Sequence, residues 1–242
     1  MAQYQSISEK DLSSVFKVER KNEKLVLKYP SGRNTIQFAD PFVFDEDVGA
    51  LAGLMPDGSL IRDLRRIYFC QKKEYAKIIL FGSLLKRLFS PSNRIFIRQG
   101  KGAFDVYINS QTLAMFFYKV LNIPKSDEQM DVPGWVFNSP DSVKISYLRQ
   151  AFAMEGTILK RLYEIRFITK DYDFAVSIQR LLLQLGISSV VKERMGGTHR
   201  TLQYRISIYG KQNFSLFRKI GFDIPFHKER FNQLLVKHKI LP

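Results

Sequence analysis

Two acidic residues, Asp57 and Glu155, hold equivalent places in two similar segments of the 242-residue chain. Each follows a short apolar stretch and precedes a glycine and a hydroxyl residue, in the sequences Asp57-Gly-Ser and Glu155-Gly-Thr. Two carboxylates brought together are suitable ligands for Mg²⁺, a hard cation that prefers oxygen ligands and keeps several waters. Such ions can activate a water and stabilise the leaving oxygen when a phosphodiester is hydrolysed. For either segment alone, an acid followed by glycine is also an ordinary polar turn after a helix.

The spacing around the two acids indicates an internal repeat. Gln71 lies 14 residues after Asp57, and Thr169 lies 14 residues after Glu155, in the matching sequences Phe-Cys-Gln-Lys and Phe-Ile-Thr-Lys. In each half a helical stretch of similar length follows, then two strand-like runs and a helix that ends in Ile-Pro. We therefore predict an α+β fold of two pseudo-symmetric αββαββα repeats, residues 44–139 and 140–242. Their antiparallel sheets are expected to form a saddle with the helices on its convex face.

The apolar stretch before the first acid contains small residues, at Ala50, Ala52 and Gly53. Two helices of this kind can pack with their backbones close together. Close packing would bring the carboxyl ends of the helices, and so Asp57 and Glu155, near each other.

The predicted strands alternate between apolar and polar side chains, which is typical of a sheet with one face under helices and one face in water. Ile67 and Phe69 share one face, and Arg66 and Tyr68 share the other. The same alternation holds in three further strands. Residues 94–98 put Arg94, Phe96 and Arg98 on the open face and Ile95 and Ile97 on the other, and residues 165–167 put Arg166 on the open face. Residues 203–208 put Gln203, Arg205 and Ser207 on the open face and Tyr204, Ile206 and Ile208 on the other. Side chains of these types can reach base edges and phosphates. A plain solvated face is the alternative for any single strand, and the repetition in both halves favours nucleic acid.

The composition supports a polyanionic partner. Lys and Arg number 38 against 23 Asp and Glu, a formal net charge of +15, although charge alone does not separate DNA, RNA and anionic lipid. One cysteine, Cys70, excludes internal disulfides and a thiolate zinc site, and three scattered histidines form no metal-ligand cluster. No apolar run reaches the roughly 18–20 residues that span a bilayer, and the start of the chain lacks the pattern of a signal peptide. A soluble, intracellular protein without a membrane partner is expected.

The two acidic segments resemble the motifs of the LAGLIDADG homing endonucleases, in particular the monomeric two-repeat enzymes of archaeal or intein type. Residues 51–60 (LAGLMPDGSL) are similar to the first motif, and residues 148–156 (LRQAFAMEG) are similar to the second. Further similarity lies in residues 132–139 (VPGWVFNS) and 220–228 (IGFDIPFHK). The resemblance extends over about residues 40 to 240.

This resemblance implies a monomeric, site-specific enzyme that cuts both strands of double-stranded DNA across the minor groove of a long, non-palindromic site. It would act on genomic DNA, and its biological role would be the mobility of an intron or intein. Asp57 and Glu155, with Gly58 and Gly156 beside them, would hold two or three Mg²⁺ ions, for which Mn²⁺ would substitute. Gln71 matches a position that orders the water network, and Lys125 and Lys228 match an expected basic residue after the last helix of each repeat. The predicted DNA-binding residues are Arg62, Arg66, Tyr68, Lys72, Arg94, Arg98, Lys101, Tyr107, Lys160, Arg161, Arg166, Lys170, Lys192, Arg194, Arg200, Gln203 and Arg205.

The sequence departs from the family's motif at the helix interface. Gln150 stands where glycine is usual, and Ala153 stands where an acid is frequent. Counting back from Asp57 puts the usual glycine of the first motif at Ala52, whereas anchoring it on Gly53 requires a one-residue deletion, and we expect the register without a gap. These changes leave room for an alternative, a LAGLIDADG-fold protein that binds nucleic acid without cutting it, as an RNA maturase or a DNA-binding regulator does. A third hypothesis, a structural protein whose charge contacts a ribosome or membrane, predicts weak DNA binding without a preferred site.

Residues 1–43 lie outside the repeat and are predicted to form a strand or hairpin extension. Residues 24–29 and 35–38 are expected to be strands on either side of the turn Pro30-Ser-Gly. The extension would either contact DNA or pack against the first repeat. Protein splicing is not expected, because the chain begins Met-Ala and ends Ile-Leu-Pro, without a nucleophilic Cys or Ser or a terminal Asn.

Overall fold

The computed structural model describes residues 4–72, 74–100, 102–159, 163–196 and 201–240. The part before the repeat contains β1 (Ser6–Ile7), α1 (Glu9–Leu12), β2 (Lys17–Lys21), β3 (Lys24–Lys28), β4 (Thr35–Ala39) and β5 (Phe42–Val43). The two expected strands of this extension are present as β3 and β4. Strand β2 was not predicted, because its sequence, Lys-Val-Glu-Arg-Lys, offers one apolar side chain in five positions.

The first repeat consists of α2 (Glu46–Leu54), a short 3₁₀ turn (Met55–Asp57), β6 (Gly58–Leu60), β7 (Ile67–Gln71), α3 (Tyr75–Phe89), β8 (Ile95–Gln99), β9 (Phe104–Ile108) and α4 (Gln111–Lys119). A connecting helix, α5 (Gly134–Asn138), leads to the second repeat. That repeat consists of α6 (Asp141–Glu155), β10 (Gly156–Leu159), β11 (Glu164–Thr169), α7 (Tyr172–Gln184), β12 (Val190–Gly196), β13 (Thr201–Ile208), α8 (Lys211–Phe217) and α9 (Pro225–Lys237). The αββαββα order is thus present twice, and α9 is an additional helix.

The two repeats also share their sheet topology. The antiparallel strands lie in the order β6-β7-β9-β8 in the first repeat and β10-β11-β13-β12 in the second. In both, the strand that follows the acid pairs with the next strand along the chain, so Gly58 lies opposite Phe69 and Gly156 lies opposite Phe167. The predicted α+β fold with two equivalent repeats is confirmed.

The alternation of the strands gives the expected core face in the central strands, whereas Ile95 and Tyr204 are half-buried and Ile97 is exposed. Ile67, Phe69, Ile165 and Phe167 are each 0% exposed beneath the helices. Ile97 was expected to join them but is 47% exposed. It lies on β8, the outer strand of its sheet, where neighbours cover only one side. Alternation therefore predicted the face of Ile97 without predicting how far the helix layer reaches.

The extension is held to the first repeat by apolar packing. Strands β2, β3 and β4 form an antiparallel sheet, and Leu25, Leu27, Ile36 and Phe38 on one of its faces are buried. The Phe38 ring lies 5.4 Å from the Phe116 ring of α4 and 6.5 Å from the Phe89 ring of α3, measured between centroids. The other face of this sheet remains open. Within the described ranges, no helix is both long and apolar enough to cross a membrane.

Candidate active site

Helices α2 and α6 pack against each other and carry the two acids at their carboxyl ends. Asp45 starts α2, because its carboxylate accepts hydrogen bonds of 3.0 Å from the backbone amides of Asp47 and Val48. The contact between the helices depends on two glycines. A Cβ on Gly53 would lie 2.2 Å from the Tyr147 carbonyl oxygen, and one on Gly49 would lie 2.8 Å from that of Val143. The predicted close packing is thus present.

The register of the first motif differs from our expectation, because Gly53 is the residue that faces Gln150 of the second motif: a Cβ on Gly53 would lie 2.2 Å from the Tyr147 carbonyl oxygen and 3.1 Å from the Gln150 Cβ. The motif has therefore lost one residue between its glycine and its acid. The 3₁₀ turn at Met55–Asp57 compensates for this loss. A 3₁₀ helix rises about 2.0 Å per residue and an α-helix about 1.5 Å, so Asp57 is about 7.5 Å along the axis from Gly53, as after five α-helical residues. Glu155 needs no such turn, since α6 remains α-helical up to this residue.

The Gln150 side chain, in place of the usual glycine, belongs to a polar network beside the helix contact. Its Oε1 accepts a hydrogen bond of 2.6 Å from Lys77 Nζ, and its Nε2 donates one of 3.1 Å to Asp223 Oδ2. Lys77 also forms an ion pair of 2.5 Å with Asp223, although burial lowers the pKa of the lysine. The network joins α3 of the first repeat to α6 and to the segment before α9. The interface therefore accommodates Gln150 with its polar atoms bonded.

Asp57 and Glu155 lie close enough for the charge of Asp57 to affect the titration of Glu155. Burial raises the pKa of Glu155 to about 8, and the charge of Asp57 and a hydrogen bond between the two side chains contribute in the same direction. The charge of Lys170 acts against this shift. Two partly shielded carboxylates held side by side repel each other unless a proton or a cation lies between them. This is the electrostatic condition that favours a divalent metal ion.

The two acids have different neighbours. Gln71 Nε2 donates a hydrogen bond of 2.7 Å to Asp57 Oδ2, and it lies 3.4 Å from the Met154 sulfur. At the equivalent place in the second repeat, the Thr169 hydroxyl accepts a hydrogen bond of 3.2 Å from the Asp171 amide. Thr169 lines the same cavity as Glu155, but its side chain is already bonded to the adjacent turn. The predicted polar neighbour is thus in place for Asp57.

The lysines that line the acid cavities are not the two expected from the motif. Lys72 lines a cavity of about 470 Å³ with Asp57, and Lys170 lines one of about 290 Å³ with Glu155. Lys125 instead forms an ion pair of 2.9 Å with Glu128, and the exposed Lys228 on α9 lines neither cavity. Lys72 and Lys170 are 98 residues apart, as are the two acids. This equal separation was the sequence signal that could have identified them as neighbours of the acids.

The donor set fits Mg²⁺ better than a transition metal. The described part of the chain contains no group of three or more His, Cys, Asp or Glu side chains placed to hold an ion. Mg²⁺ commonly uses one or two protein carboxylates, with waters and substrate phosphates as its other ligands. Gly58 and Gly156 follow the acids at the start of β6 and β10. A Cβ on Gly156 would lie 2.2 Å from the Phe152 carbonyl oxygen, so the chain requires glycine there to turn out of the helix.

The open face of the first sheet carries basic and aromatic side chains in contact. The Phe96 and Tyr107 rings stack with centroids 5.1 Å apart, and the Arg66 guanidinium lies 5.1 Å from the Tyr107 ring centroid. Arg94 lies similarly over Phe96, at 5.5 Å. Both arginines are exposed. Arg66 Nε also donates a hydrogen bond of 2.6 Å to Asn109 Oδ1, and the exposed remainder of both guanidinium groups can contact a polyanion.

Other predicted DNA-binding residues of this sheet already have protein partners. Asp105 accepts a hydrogen bond of 2.6 Å from Tyr68 and forms an ion pair of 2.7 Å with Arg98, and both contacts hold the pKa of its carboxyl below the ordinary value. The bond to Asp105 also raises the pKa of the Tyr68 hydroxyl. Arg62 is exposed and pairs with Asp127 at 3.1 Å.

The second sheet differs, because its central arginine is neither exposed nor free. Arg166 is 8% exposed, and its guanidinium donates hydrogen bonds of 3.1 and 2.9 Å to Glu164, which is 1% exposed. Burial raises the pKa of Glu164, but hydrogen bonds from Arg166 and Ser207 outweigh it, so the net shift is downward. Ser207 is 0% exposed. The expectation of an open polar face is therefore corrected here, because Glu164 pairs with Arg166 and partly with Arg205, at 3.9 Å.

The remaining predicted DNA-binding residues fall into two groups. Lys170 and Lys192 are exposed, whereas Arg194, Gln203 and Arg205 are half-buried. Lys101, Lys160, Arg161 and Arg200 lie outside the described residues. One neighbour of Asp57 was not predicted at all. His227 of α9 lines the Asp57 cavity, and burial lowers the pKa of its imidazole.

Comparison with solved structures identifies the fold. It is similar to that of I-DmoI, a homing endonuclease, in its crystal structure in complex with DNA and Ca, with a TM-score of 0.56 and 16% identity over 78% of this chain and 98% of that one. It is also similar to full-length DUF199/WhiA from Thermatoga maritima, with a TM-score of 0.51 and 15% identity over 82% of this chain and 62% of that one.

Curated relatives match over segments only. A probable translation initiation factor IF-2 of Methanocaldococcus jannaschii is 25% identical over 117 residues, which is 48% of this chain and 10% of that protein. The glutamine–fructose-6-phosphate aminotransferase of the same organism is 30% identical over 167 residues, 66% of this chain and 15% of that protein. The chain therefore spans less than a fifth of the length of these relatives.

The family comparison agrees with the internal repeat. The family model of a LAGLIDADG-like domain matches residues 142–221, a range that includes Glu155 and most of the second repeat. The first repeat has the same order of elements and the same sheet topology. Residues 142–221 thus form a LAGLIDADG-like domain, and the chain has a two-repeat fold similar to that of I-DmoI.

Proposed function

We propose that this chain is a divalent-metal-dependent endonuclease that cuts double-stranded DNA at a specific site. The observation that carries the proposal is the proximity of Asp57 and Glu155, one acid from each repeat, where α2 and α6 end. Gln71 Nε2 bonds both Asp57 and Met154, the residue before Glu155. Two negative charges in a partly buried site raise the free energy of the folded state. A metal ion between them would remove the repulsion that contributes to the raised pKa of Glu155. The fold shared with I-DmoI supports the same function, because I-DmoI is a homing endonuclease crystallised with DNA and with Mn or Ca.

Each residue of the site has a defined task in this proposal. Asp57 and Glu155 hold Mg²⁺ or Mn²⁺, ions that activate a water and stabilise the leaving oxygen during phosphodiester hydrolysis. Gln71 orients the Asp57 carboxylate through its hydrogen bond of 2.7 Å. Lys72 and Lys170, which line the two acid cavities, supply positive charge near the scissile phosphates.

The two sheets hold the DNA on either side of the acid pair. The repeats are not identical in sequence, so the proposed site is long and non-palindromic, and one chain supplies both halves as a monomer. Exposed arginines such as Arg66 and Arg94 contact phosphates and base edges in the major groove. The biological substrate would be genomic DNA inside the cell.

A selection for cleaved sequences tests this proposal. A pool of randomised DNA duplexes is first enriched for binding in the absence of divalent ions, and Mg²⁺ is then added and new ends are sequenced. We expect double-strand cuts at one enriched sequence, and none with the double variant Asp57→Asn and Glu155→Gln. The variant Asp63→Asn is the control, because the Asp63 side chain is 56% exposed and lines neither acid cavity. Enriched binding without cuts by the unaltered protein would contradict the proposal.

The second candidate function is sequence-specific DNA binding without cleavage. Thr169 favours it, because its hydroxyl accepts a hydrogen bond from the Asp171 amide and, among the described hydrogen bonds, donates none to Glu155, whereas Gln71 donates one to Asp57. The similarity to the fold of WhiA shows that the fold is not confined to the homing endonuclease I-DmoI. In this case the double variant would bind the enriched DNA with unchanged sequence preference, and the unaltered protein would not cut it.

A further inference from the structure

The open face of the sheet formed by β2, β3 and β4 carries four lysines. Leu25 and Leu27 of β3 point into the core, so the alternate residues Lys24 and Lys28 lie on the opposite face. Lys17 and Lys21 of β2 lie directly opposite these two residues and therefore share their face. All four are exposed. We call Lys17, Lys21, Lys24 and Lys28 the lysine face.

The lysines stand opposite one another across the two strands. Lys17 is paired with Lys28, and Lys21 is paired with Lys24. Side chains in such positions have Cβ atoms about 4.5–5.5 Å apart, and like charges there destabilise a sheet. In the described part of the chain only Lys21 has an acidic partner, Glu19, at 3.3 Å and with both side chains 68% exposed. Repulsion between the opposed lysines therefore lowers the stability of the sheet, and their positive charge is only partly neutralised by acidic side chains.

The spacing of the two lysine pairs fits duplex DNA. The two pairs are four positions apart along each strand, which is about 13 Å at about 3.3 Å per residue. The major groove of B-DNA is about 12 Å wide, so the pairs can reach phosphates on its two sides. We propose that the lysine face binds the phosphate backbone of duplex DNA that flanks the segment held by the two repeats. This inference rests on the proposed function, because it requires DNA to be bound by the repeats.

The rest of the face supports a polyanion held by charge. Between the lysine pairs lie the half-buried Val26, the exposed Glu19 opposite it on β2, and the uncharged Gln37 opposite it on β4, so the face has four positive charges and one negative charge. A protein partner would need aromatic or large apolar residues that anchor in a pocket, and this face offers none among its described residues. Contacts to phosphates carry no direct sequence information. The lysine face therefore adds affinity and length to the site and no sequence preference.

The salt dependence of DNA binding tests the inference. The lysine-face variant replaces Lys17, Lys21, Lys24 and Lys28 by Gln, and the control replaces Lys119, Lys211, Lys219 and Lys239, which are equally exposed but lie on or after helices. Binding of random-sequence duplexes of about 15 and about 40 base pairs is measured by fluorescence anisotropy over a range of salt. On the long duplex, we expect the slope of log K against log salt to become shallower by about 3–4 in the lysine-face variant, and to stay unchanged in the control.

The outcomes separate this inference from the proposed function. A slope on the long duplex that is equal in the lysine-face variant and the unaltered protein overturns the inference and leaves the proposed function standing. No binding of either duplex by the unaltered protein overturns both. A larger loss on single-stranded RNA than on duplex DNA overturns the assignment to DNA. The melting temperature without DNA is the folding control, and it should be equal or higher in the variant, because the opposed like charges are removed.

Discussion

At the scale of single residues, the pair formed by Asp57 and Glu155 lowers the stability of the folded chain when no metal is bound and both carboxylates are charged. Burial and the neighbouring Asp57 together raise the pKa of Glu155 to about 8, far above the ordinary 4.5. Between these two values the folded chain holds a proton that the unfolded chain has lost. Stability therefore falls as pH rises through this window, because the unfolded state binds fewer protons than the folded state.

Replacing Glu155 by Gln should remove this pH dependence. Without metal, we expect Glu155→Gln to melt at nearly the same temperature as the unaltered protein near pH 5. Near pH 8 it should be more stable by about 3–4 kcal/mol, which is about 6–16 °C for a chain of this size. Thermal melts at a series of pH values in a metal chelator measure this difference. Glu229→Gln, at an exposed position on α9, is the control, and an equal gain there would contradict the explanation.

The bond from Gln71 to Asp57 should matter for cleavage more than for folding. Groups that orient metal ligands typically change metal affinity or activity by about 10–100-fold when removed. We expect Gln71→Ala to reduce the single-turnover cleavage rate by about this factor on the target found by selection. Thr169→Val is the matched control from the second repeat, because the Thr169 hydroxyl bonds Asp171 and not Glu155. If both substitutions slow cleavage equally, Gln71 has no special role in orienting Asp57.

At the scale of elements, the contact between α2 and α6 determines where the acids lie. Gly53→Ala would place a methyl group 2.2 Å from the Tyr147 carbonyl oxygen, so the two backbones would have to separate. We expect a loss of about 3 kcal/mol, or about 6–12 °C in melting temperature. Gly82→Ala in α3 is the control, since its nearest neighbour would be 3.6 Å away, at Val106 Cγ2. That substitution should be neutral or stabilising by up to about 1 kcal/mol, and equal losses would contradict the packing account.

The elements were predictable where the signal was local or repeated. Equal spacing from Asp57 to Gln71 and from Glu155 to Thr169 predicted the two repeats, and alternation predicted the buried faces of β7 and β11. Strand β2 was missed, because residues Lys17–Lys21 contain only one apolar side chain. The segment becomes a strand by pairing with β3, and the sequence gives no local sign of this pairing. The position of the motif's glycine was also missed, because a 3₁₀ turn can replace one residue of α-helix without a mark in the sequence.

The sequence was sufficient to predict the two acids of the site, but it predicted fewer of the residues around them. Asp57, Glu155 and Gln71 come together as the repeat implied. The roles of Lys125 and Lys228 remain predictions, and the structure puts Lys72 and Lys170 in the acid cavities instead. The partner of Arg166 is Glu164, two residues earlier on the same face of β11, so the spacing of the two charges could have indicated this pair. The strand sequence did not indicate that both side chains are buried, at 8% and 1% exposed.

At the scale of the whole molecule, the net charge of +15 is unevenly available for binding. On the first sheet Arg66 and Arg94 are exposed over aromatic rings. On the second sheet Arg166 is buried against Glu164, and Arg205 is half-buried at 3.9 Å from the same carboxylate. The first repeat should therefore provide more of the phosphate contacts of the two sheets, even though the repeats have the same topology.

This asymmetry predicts different outcomes for arginines that lie on equivalent sheets. Arg66→Gln and Arg94→Gln should each make the salt dependence of DNA binding shallower by about 0.9, the value for one lost phosphate contact, with little change in stability. Arg166→Gln should leave the salt slope unchanged. It should cost about 3 kcal/mol of stability, because Glu164 stays buried after losing its bidentate partner. Anisotropy titrations and thermal melts of the three variants measure both quantities, and a shallower slope for Arg166→Gln would show that its guanidinium leaves Glu164 to contact DNA.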